Sequence, residues 1–169
     1  MDQDTWNGKA KDERSAQDEQ EPNEQGLRTV ESSQTCVLLV EDESLIAEII
    51  GEALEEHGFS VHSVSNASEA LAHLSTGSRV DILFTDINLP GELDGAALAE
   101  QARGLLPDLP VIYASGRWGR LEEVRNLPLS TTLQKPYSPA RACAAVEVLM
   151  SQRMAVLESR HAPLRVLAS

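Results

Sequence analysis

Basic side chains are scarce in this chain. Its 169 residues include 14 Lys and Arg against 27 Asp and Glu, a formal net charge of -13 at pH 7. Proteins that bind nucleic acid neutralise its phosphates with a basic face. The charge balance therefore argues against direct nucleic-acid binding as the main activity.

Long apolar runs are also missing, because no stretch approaches the roughly 18 to 20 residues that cross a membrane. The first residues, Met-Asp-Gln-Asp-Thr-Trp, lack the basic and apolar regions of a secretion signal. Cysteine is limited to Cys36 and Cys143, both inside apolar segments and without metal-site spacing. These absences predict a cytoplasmic protein without a membrane partner, whose cysteines are small core residues.

Charge and apolar residues are spread unevenly along the chain. Residues 1–34 carry nine acidic and four basic side chains and few apolar ones. So little apolar surface cannot offset the entropy of an ordered chain. We predict a disordered acidic N-terminal arm over 1–34, a folded domain over 35–155, and a short C-terminal tail over 156–169 with no output domain.

Within 35–155, apolar runs alternate with amphipathic segments. Continuous apolar runs at 36–40, 82–84 and 110–114 are typical of strands buried on both faces, and weaker runs lie at 59–64 and 129–134. Five such alternations predict an α/β fold with parallel strands, right-handed crossovers and helices on both faces of one sheet.

Helix signals stand between the predicted strands. Gly58 is a suitable end for the first helix, and Asn66, Asp94 and Ser138 are suitable caps for later ones. The first helix is predicted to have one apolar face, which is made of Leu45, Ile46, Ile49, Ile50, Ala53 and Leu54. The last is predicted to turn inward Ala142, Val146, Leu149, Met150, Met154 and Leu157.

Polar side chains end four of the five predicted strands. They are Glu41 with Asp42, then Asp86, Ser115 and Lys135. Parallel strands end at one edge of a sheet, where ligands of such folds bind. Three carboxylates within about 5 Å repel by about 3 kcal/mol per pair at an effective dielectric near 20. The cluster therefore predicts a cation, and Mg²⁺ with phosphate oxygens suits it.

A hydroxyl and an ammonium beside that cation could hold a bound phosphoryl group. The pattern is that of a phosphoryl-transfer site with an aspartate nucleophile. For any one of these residues, a helix cap, a turn or a solvated strand end is the simpler interpretation. The four strand ends together favour the site.

These motifs resemble the receiver domains of bacterial two-component response regulators, and the resemblance covers roughly 35–155. Its elements are an acidic pair after the first strand, Asp after the third, Ser or Thr after the fourth, and Lys-Pro after the fifth. The resemblance implies a flavodoxin-like, doubly wound, five-stranded parallel sheet of order 2-1-3-4-5.

The resemblance also implies roles for individual residues. Asp86 would be the phosphoacceptor, while Ser115 and Lys135 would bind the phosphoryl oxygens. Pro136 would fix the peptide that aims Lys135. The Mg²⁺ ligands would be Glu41 (through water), Asp42, Asp86 and the backbone carbonyl of Asn88.

Two positions depart from the family pattern, and one stretch matches a subgroup. Many receivers carry an aromatic switch residue three positions before the Lys, where this chain has Thr132. Leu127-Pro-Leu-Ser130 replaces the small Gly-Ala turn that commonly precedes the fifth strand. Conversely, Tyr113-Ala-Ser-Gly116 resembles the Phe-Ala-Thr-Gly stretch of some stand-alone receivers.

The resemblance implies a single-domain response regulator, not an enzyme, that takes a phosphoryl group from a histidine kinase or phosphotransfer protein. It would then signal through an unidentified protein target. One alternative is a Mg²⁺-dependent haloacid-dehalogenase-type phosphatase, but Asn88 stands where that chemistry needs a second Asp. Another is a pseudo-receiver that docks without phosphorylation.

Overall fold

Strands and helices alternate without exception along residues 34–161, the part of the chain that the computed structural model describes. The elements are β1 (Cys36–Val40), α1 (Ser44–Glu56), β2 (Ser60–Val64), α2 (Ala67–Ser75), β3 (Ile82–Asp86), α3 (Gly95–Leu105), β4 (Val111–Ser115), α4 (Trp118–Val124), β5 (Ser130–Gln134) and α5 (Pro139–His161). Each predicted strand and helix is present.

All five strands are parallel and lie in the order β2-β1-β3-β4-β5. The doubly wound fold and its predicted strand order are therefore confirmed. β3 is central, because it pairs with β1 on one side and β4 on the other. We call the edge at which the strands finish the site edge; β3 ends there at Asp86 and β4 at Ser115.

The sheet separates two apolar clusters. Leu38 and Val40 of β1 pack among residues of α2, α3 and α4, whereas Val37 and Leu39 pack among residues of α1 and α5. Alternate side chains of a strand point to opposite faces, so a strand covered on both faces must be apolar throughout. The continuous apolar runs in the sequence have this cause.

Helix caps follow the sequence signals. The Asn66 side chain accepts a hydrogen bond from the Glu69 amide at 2.9 Å, and the Glu69 carboxylate accepts one from the Ser65 amide at 3.0 Å. Asp94 caps α3 by accepting from the Ala97 amide at 2.8 Å. The bonds from the Glu69 and Ala97 amides satisfy donors that the first helical turn leaves unpaired.

The turn before β5 is fixed by hydrogen bonds from a side chain of α3. Leu129 has a positive φ of 46°, a left-handed conformation that is costly for a branched side chain. The Arg103 guanidinium donates to the carbonyl of Pro128 at 2.7 Å and to that of Leu129 at 3.1 Å. It also donates to the carbonyl of Leu109 and to the hydroxyl of Ser130. Arg103 thus supplies the bonds that fix a turn lacking glycine.

Two predicted helix faces differ from the structure. Leu45 and Ile49 of α1 are 66% and 47% exposed, although Ile50 and Leu54 of the same helix are buried. The six apolar residues cover a wider arc than α1 buries against the sheet and α5. In α5, Met154 is 54% exposed instead of inward.

One end of the folded domain lies within the described residues. α5 continues through the predicted boundary at 155 to His161. The predicted acidic arm lies outside the described residues except for Gln34, and so do residues 162–169. Within 34–161, no helix combines the length and apolar character that a bilayer crossing requires.

Candidate functional site

The predicted site residues meet at the site edge. Lys135 reaches back from the end of β5, and its ammonium donates to Glu41 Oε2 and to Asp86 Oδ2, each at 2.6 Å. These partners are 94 and 49 residues away in sequence. The carboxyl ends of β1, β3 and β5 are thereby linked through one ammonium.

Three carboxylates cluster at this edge. Glu41, Asp42 and Asp86 each offer an oxygen, and these oxygens lie within 4.8 Å of one another. Glu41 and Asp86 are only 3% and 7% exposed, whereas Asp42 is exposed. The cluster offers hard oxygen ligands with one open side, which fits a Mg²⁺ ion that keeps part of its water shell.

The charges of this cluster are unbalanced. Burial raises the pKa of Glu41 above its usual value, and the hydrogen bond from Lys135 only partly offsets this effect. Burial acts to lower the pKa of Lys135, but hydrogen bonds and attraction to Asp86 and Glu41 outweigh burial and raise it. Lys135 is therefore an ammonium at neutral pH, and one positive charge faces three acidic groups.

The β3–α3 loop fixes Asp86 in place. Its Oδ1 accepts a hydrogen bond from the Asn88 amide at 2.7 Å. Gly95, the first residue of α3, packs so closely that an added Cβ would collide with the Asp86 carbonyl oxygen and the Thr85 hydroxyl. Glycine at this position lets the start of α3 approach the site, a function of the Asp94-Gly95 pair that the sequence did not reveal.

Ser115 is fully buried beside Asp86 and is tied to two loops. Its hydroxyl oxygen accepts from the Asn88 side-chain amide at 2.9 Å and from the Arg117 backbone amide at 3.1 Å. The Lys135 amide donates to the Ser115 carbonyl at 3.0 Å. Sequence reasoning gave Asn88 only a backbone role and missed its side chain, which joins the β3–α3 loop to Ser115.

The peptide between Lys135 and Pro136 is cis. Beyond it, the Tyr137 ring lies 6.0 Å from that of Phe84. Burial raises the pKa of the Tyr137 hydroxyl, so it stays neutral beside the charged cluster.

Thr132 stands where many receivers carry an aromatic switch residue, and the neighbouring strand supplies an aromatic ring beside it. Thr132 of β5 is directly opposite Tyr113 of β4, so the two side chains share a face of the sheet. Tyr113 is 1% exposed and packs with Leu121 and Val124 of α4. The buried Tyr113 ring of β4 therefore lies on the same face of the sheet as Thr132 and next to it.

Comparison with known families gives one decisive match. The model of the response regulator receiver domain matches residues 37–147. The chain belongs to this family. The matched range contains every predicted site residue, from Glu41 and Asp42 to Lys135.

Individual relatives agree with this assignment. The receiver is 32% identical over 126 residues to the sensor kinase CckA of Brucella abortus, covering 72% of this chain and 13% of the kinase. It is 30% identical over 116 residues to the transcriptional regulatory protein CssR of Bacillus subtilis, covering 68% of this chain and 50% of CssR. The chain thus spans at most half the length of these curated relatives.

A solved structure gives the same answer. The crystal structure of a response regulator receiver protein from Sinorhizobium medicae superposes with a TM-score of 0.67 at 30% identity, covering 72% of this chain and 98% of that protein. The chain therefore contains a two-component receiver domain, a phosphoacceptor signalling module. Receiver domains interact with histidine kinases or phosphotransfer proteins and generally bind Mg²⁺ at an acidic pocket. The phosphatase and pseudo-receiver alternatives are not favoured.

Proposed function

We propose that Asp86 accepts a phosphoryl group from a phosphohistidine of a histidine kinase or phosphotransfer protein. The supporting observation is the bridge from Lys135 to Asp86 and Glu41, with Asp42 and Ser115 at the same edge. A carboxylate oxygen of Asp86 attacks phosphorus, and the phosphorus–nitrogen bond breaks. The imidazole leaves with the electron pair and takes up a proton, which leaves an acyl phosphate on Asp86.

The surrounding residues have separate tasks in this proposal. Glu41, Asp42, Asp86 and the Asn88 carbonyl would hold Mg²⁺, which supplies positive charge against the phosphoryl oxygens. The Lys135 ammonium pairs with a phosphoryl oxygen, and the Ser115 hydroxyl donates to another. Because kinases draw their phosphoryl group from ATP, the proposal places the domain in the cytoplasm.

The partner is expected to dock on a groove between α1 and α5. This groove of about 450 Å³ adjoins the site through Lys135 and is lined by Glu43, Ile46, Ile49, Ile50, Lys135, Pro136, Tyr137 and Pro139. Ile49 is half exposed at its rim, and Leu45 on the same helix is more exposed. An apolar groove beside the acceptor suits an amphipathic helix that carries the donor histidine. Once phosphorylated, the receiver would signal by binding a downstream protein.

Transfer from a phosphorylated histidine kinase tests this function. An Ile49→Glu variant should slow transfer from the kinase at least ten-fold yet keep the wild-type rate of labelling by acetyl phosphate, which needs no docked protein. Val148→Glu is a matched control, because Val148 is 56% exposed on α5 and does not line the groove. Equal kinase-driven rates for both variants would reject the docking groove. Absence of an acid-stable, hydroxylamine-labile phosphoryl group on the wild type would reject the function itself.

A further inference from the structure

Among the described helices, α4 is the shortest and has the fewest buried residues. It has seven residues, of which only Leu121 and Val124 are buried. Trp118, its first residue, is 67% exposed. The Arg117 side chain makes no capping bond at its start. A short helix with two buried anchors is free to move at low cost.

One ion pair joins α4 to another element within residues 34–161. The Arg120 guanidinium contacts Asp94 Oδ2 at the start of α3, and it also donates to Glu123 on its own helix at 2.8 Å. The other oxygen of Asp94 accepts from the Ala97 amide and caps α3. A single carboxylate therefore caps α3 and holds α4 against it.

The start of α4 is mechanically linked to the acceptor. The Arg117 amide donates to the Ser115 hydroxyl oxygen, and that same oxygen accepts from the Asn88 side chain beside Asp86. A phosphoryl group on Asp86 brings new acceptor oxygens, which draw the Ser115 hydroxyl toward them. Any such movement pulls on Arg117 and hence on α4, while Arg120 opposes it.

We propose that the Arg120–Asp94 ion pair is a latch that holds α4 in its unphosphorylated position and so sets the response threshold of the receiver. The proposal rests on phosphoryl binding at Asp86 as its trigger. The latch favours only the unphosphorylated arrangement, so losing it shifts the balance toward the phosphorylated one. Both partners are about one-third exposed, and pairs of this kind shift an equilibrium about two- to five-fold.

Beryllofluoride with Mg²⁺ is the probe, because it mimics a phosphoryl group without covalent chemistry. A Trp6→Phe background leaves Trp118 as the one indole, since the chain has two tryptophans. Trp118 emission and the amide shifts of residues 116–125 then report binding. Arg120→Gln and Asp94→Asn should each raise the apparent affinity about two- to five-fold in low salt. The Asp94→Asn substitution keeps a side-chain oxygen that can cap α3.

A double-mutant cycle separates the latch from unrelated damage. The double variant should gain no more affinity than either single variant, because both remove the same pair. Raising the salt concentration should shrink the difference from the parent, since salt screens an ion pair whose partners are about one-third exposed. Arg125→Gln is the control, because Arg125 directly follows α4 and its one ion pair within residues 34–161 is with Glu122 of that helix.

Three results would overturn the latch. One is parental affinity in both single variants, and another is additive gains in the double variant. The third is an equal gain from Arg125→Gln. If the parent binds no beryllofluoride, phosphoryl binding fails and the latch fails with it. If the parent binds and the variants match it, only the latch is wrong.

Discussion

Two buried aspartates stand at opposite ends of the same strand, and the charge around them differs in sign. Asp81 lies immediately before β3 and Asp86 ends it, and they are 9% and 7% exposed. The Asp81 carboxylate accepts a hydrogen bond from the Cys36 amide at 2.9 Å. It also forms ion pairs with Arg79 at 2.8 Å and with Arg153 at 3.6 Å. Positive charge is in excess around it.

The charge balance is reversed at Asp86. Two further carboxylates, Glu41 and Asp42, share its surroundings, and Lys135 is the one cation among residues 34–161 that pairs with this cluster. Burial is nearly the same at both ends of β3, so burial does not distinguish the two aspartates. The local surplus of negative charge distinguishes them. That surplus favours binding of a cation, and a bound cation in turn favours binding of a phosphoryl group.

The largest expected effect on stability concerns the packing of α3 against the carboxyl end of β3. Gly95→Ala places a methyl group against the Asp86 carbonyl and should lower the free energy of unfolding by about 3 kcal/mol. Gly104→Ala is a matched control in the same helix, since an added Cβ there meets nothing within 4 Å. It should be neutral or stabilise by up to about 1 kcal/mol. Urea unfolding of both variants measures the difference, and similar losses would refute the close approach of α3.

The second-largest expected effect on stability concerns Asp81, at the other end of β3. Asp81→Asn removes the charge that pairs with Arg79 and Arg153 and should cost about 2 kcal/mol of unfolding free energy. Because Asp81 lies at the edge opposite the site, labelling by acetyl phosphate should stay at the wild-type rate. A loss of labelling in folded Asp81→Asn protein would break the distinction between the two ends.

A smaller effect comes from Mg²⁺ itself. At ten times its dissociation constant, Mg²⁺ should stabilise the wild type by about 1.4 kcal/mol. The same addition should leave Asp42→Ala unchanged, since that variant lacks the exposed carboxylate of the cluster. In metal-free buffer the variant should match or exceed the wild type in stability, because a repelling charge is gone. Thermal melts with and without EDTA check both statements, and an equal Mg²⁺ response in the two proteins would contradict the ligand assignment.

Much of the fold was predictable because its causes are local. Strands covered on both faces must be apolar, so 36–40 and 82–84 stood out, and Asn66 and Asp94 marked helix starts by their capping chemistry. The site was predictable because parallel strands finish at one edge, where Asp86 and Lys135 necessarily approach.

The rest depended on contacts that sequence spacing does not encode. Arg153 reaches Asp81 across 72 residues, and Arg120 reaches Asp94 across 26. The exposure of Ile49 followed from how much of α1 the sheet and α5 cover. Likewise, only the strand register places the Tyr113 ring opposite Thr132.

The central claim is that charge surplus, not burial, makes Asp86 the phosphoacceptor. Incubation with acetyl phosphate and Mg²⁺, followed by borohydride reduction and peptide mass mapping, locates the modified carboxylate directly. The account predicts one modified residue, Asp86, in the wild type and in Asp81→Asn, and none in Asp86→Asn. Modification at Asp81, or equal labelling of Asp86→Asn, would contradict it.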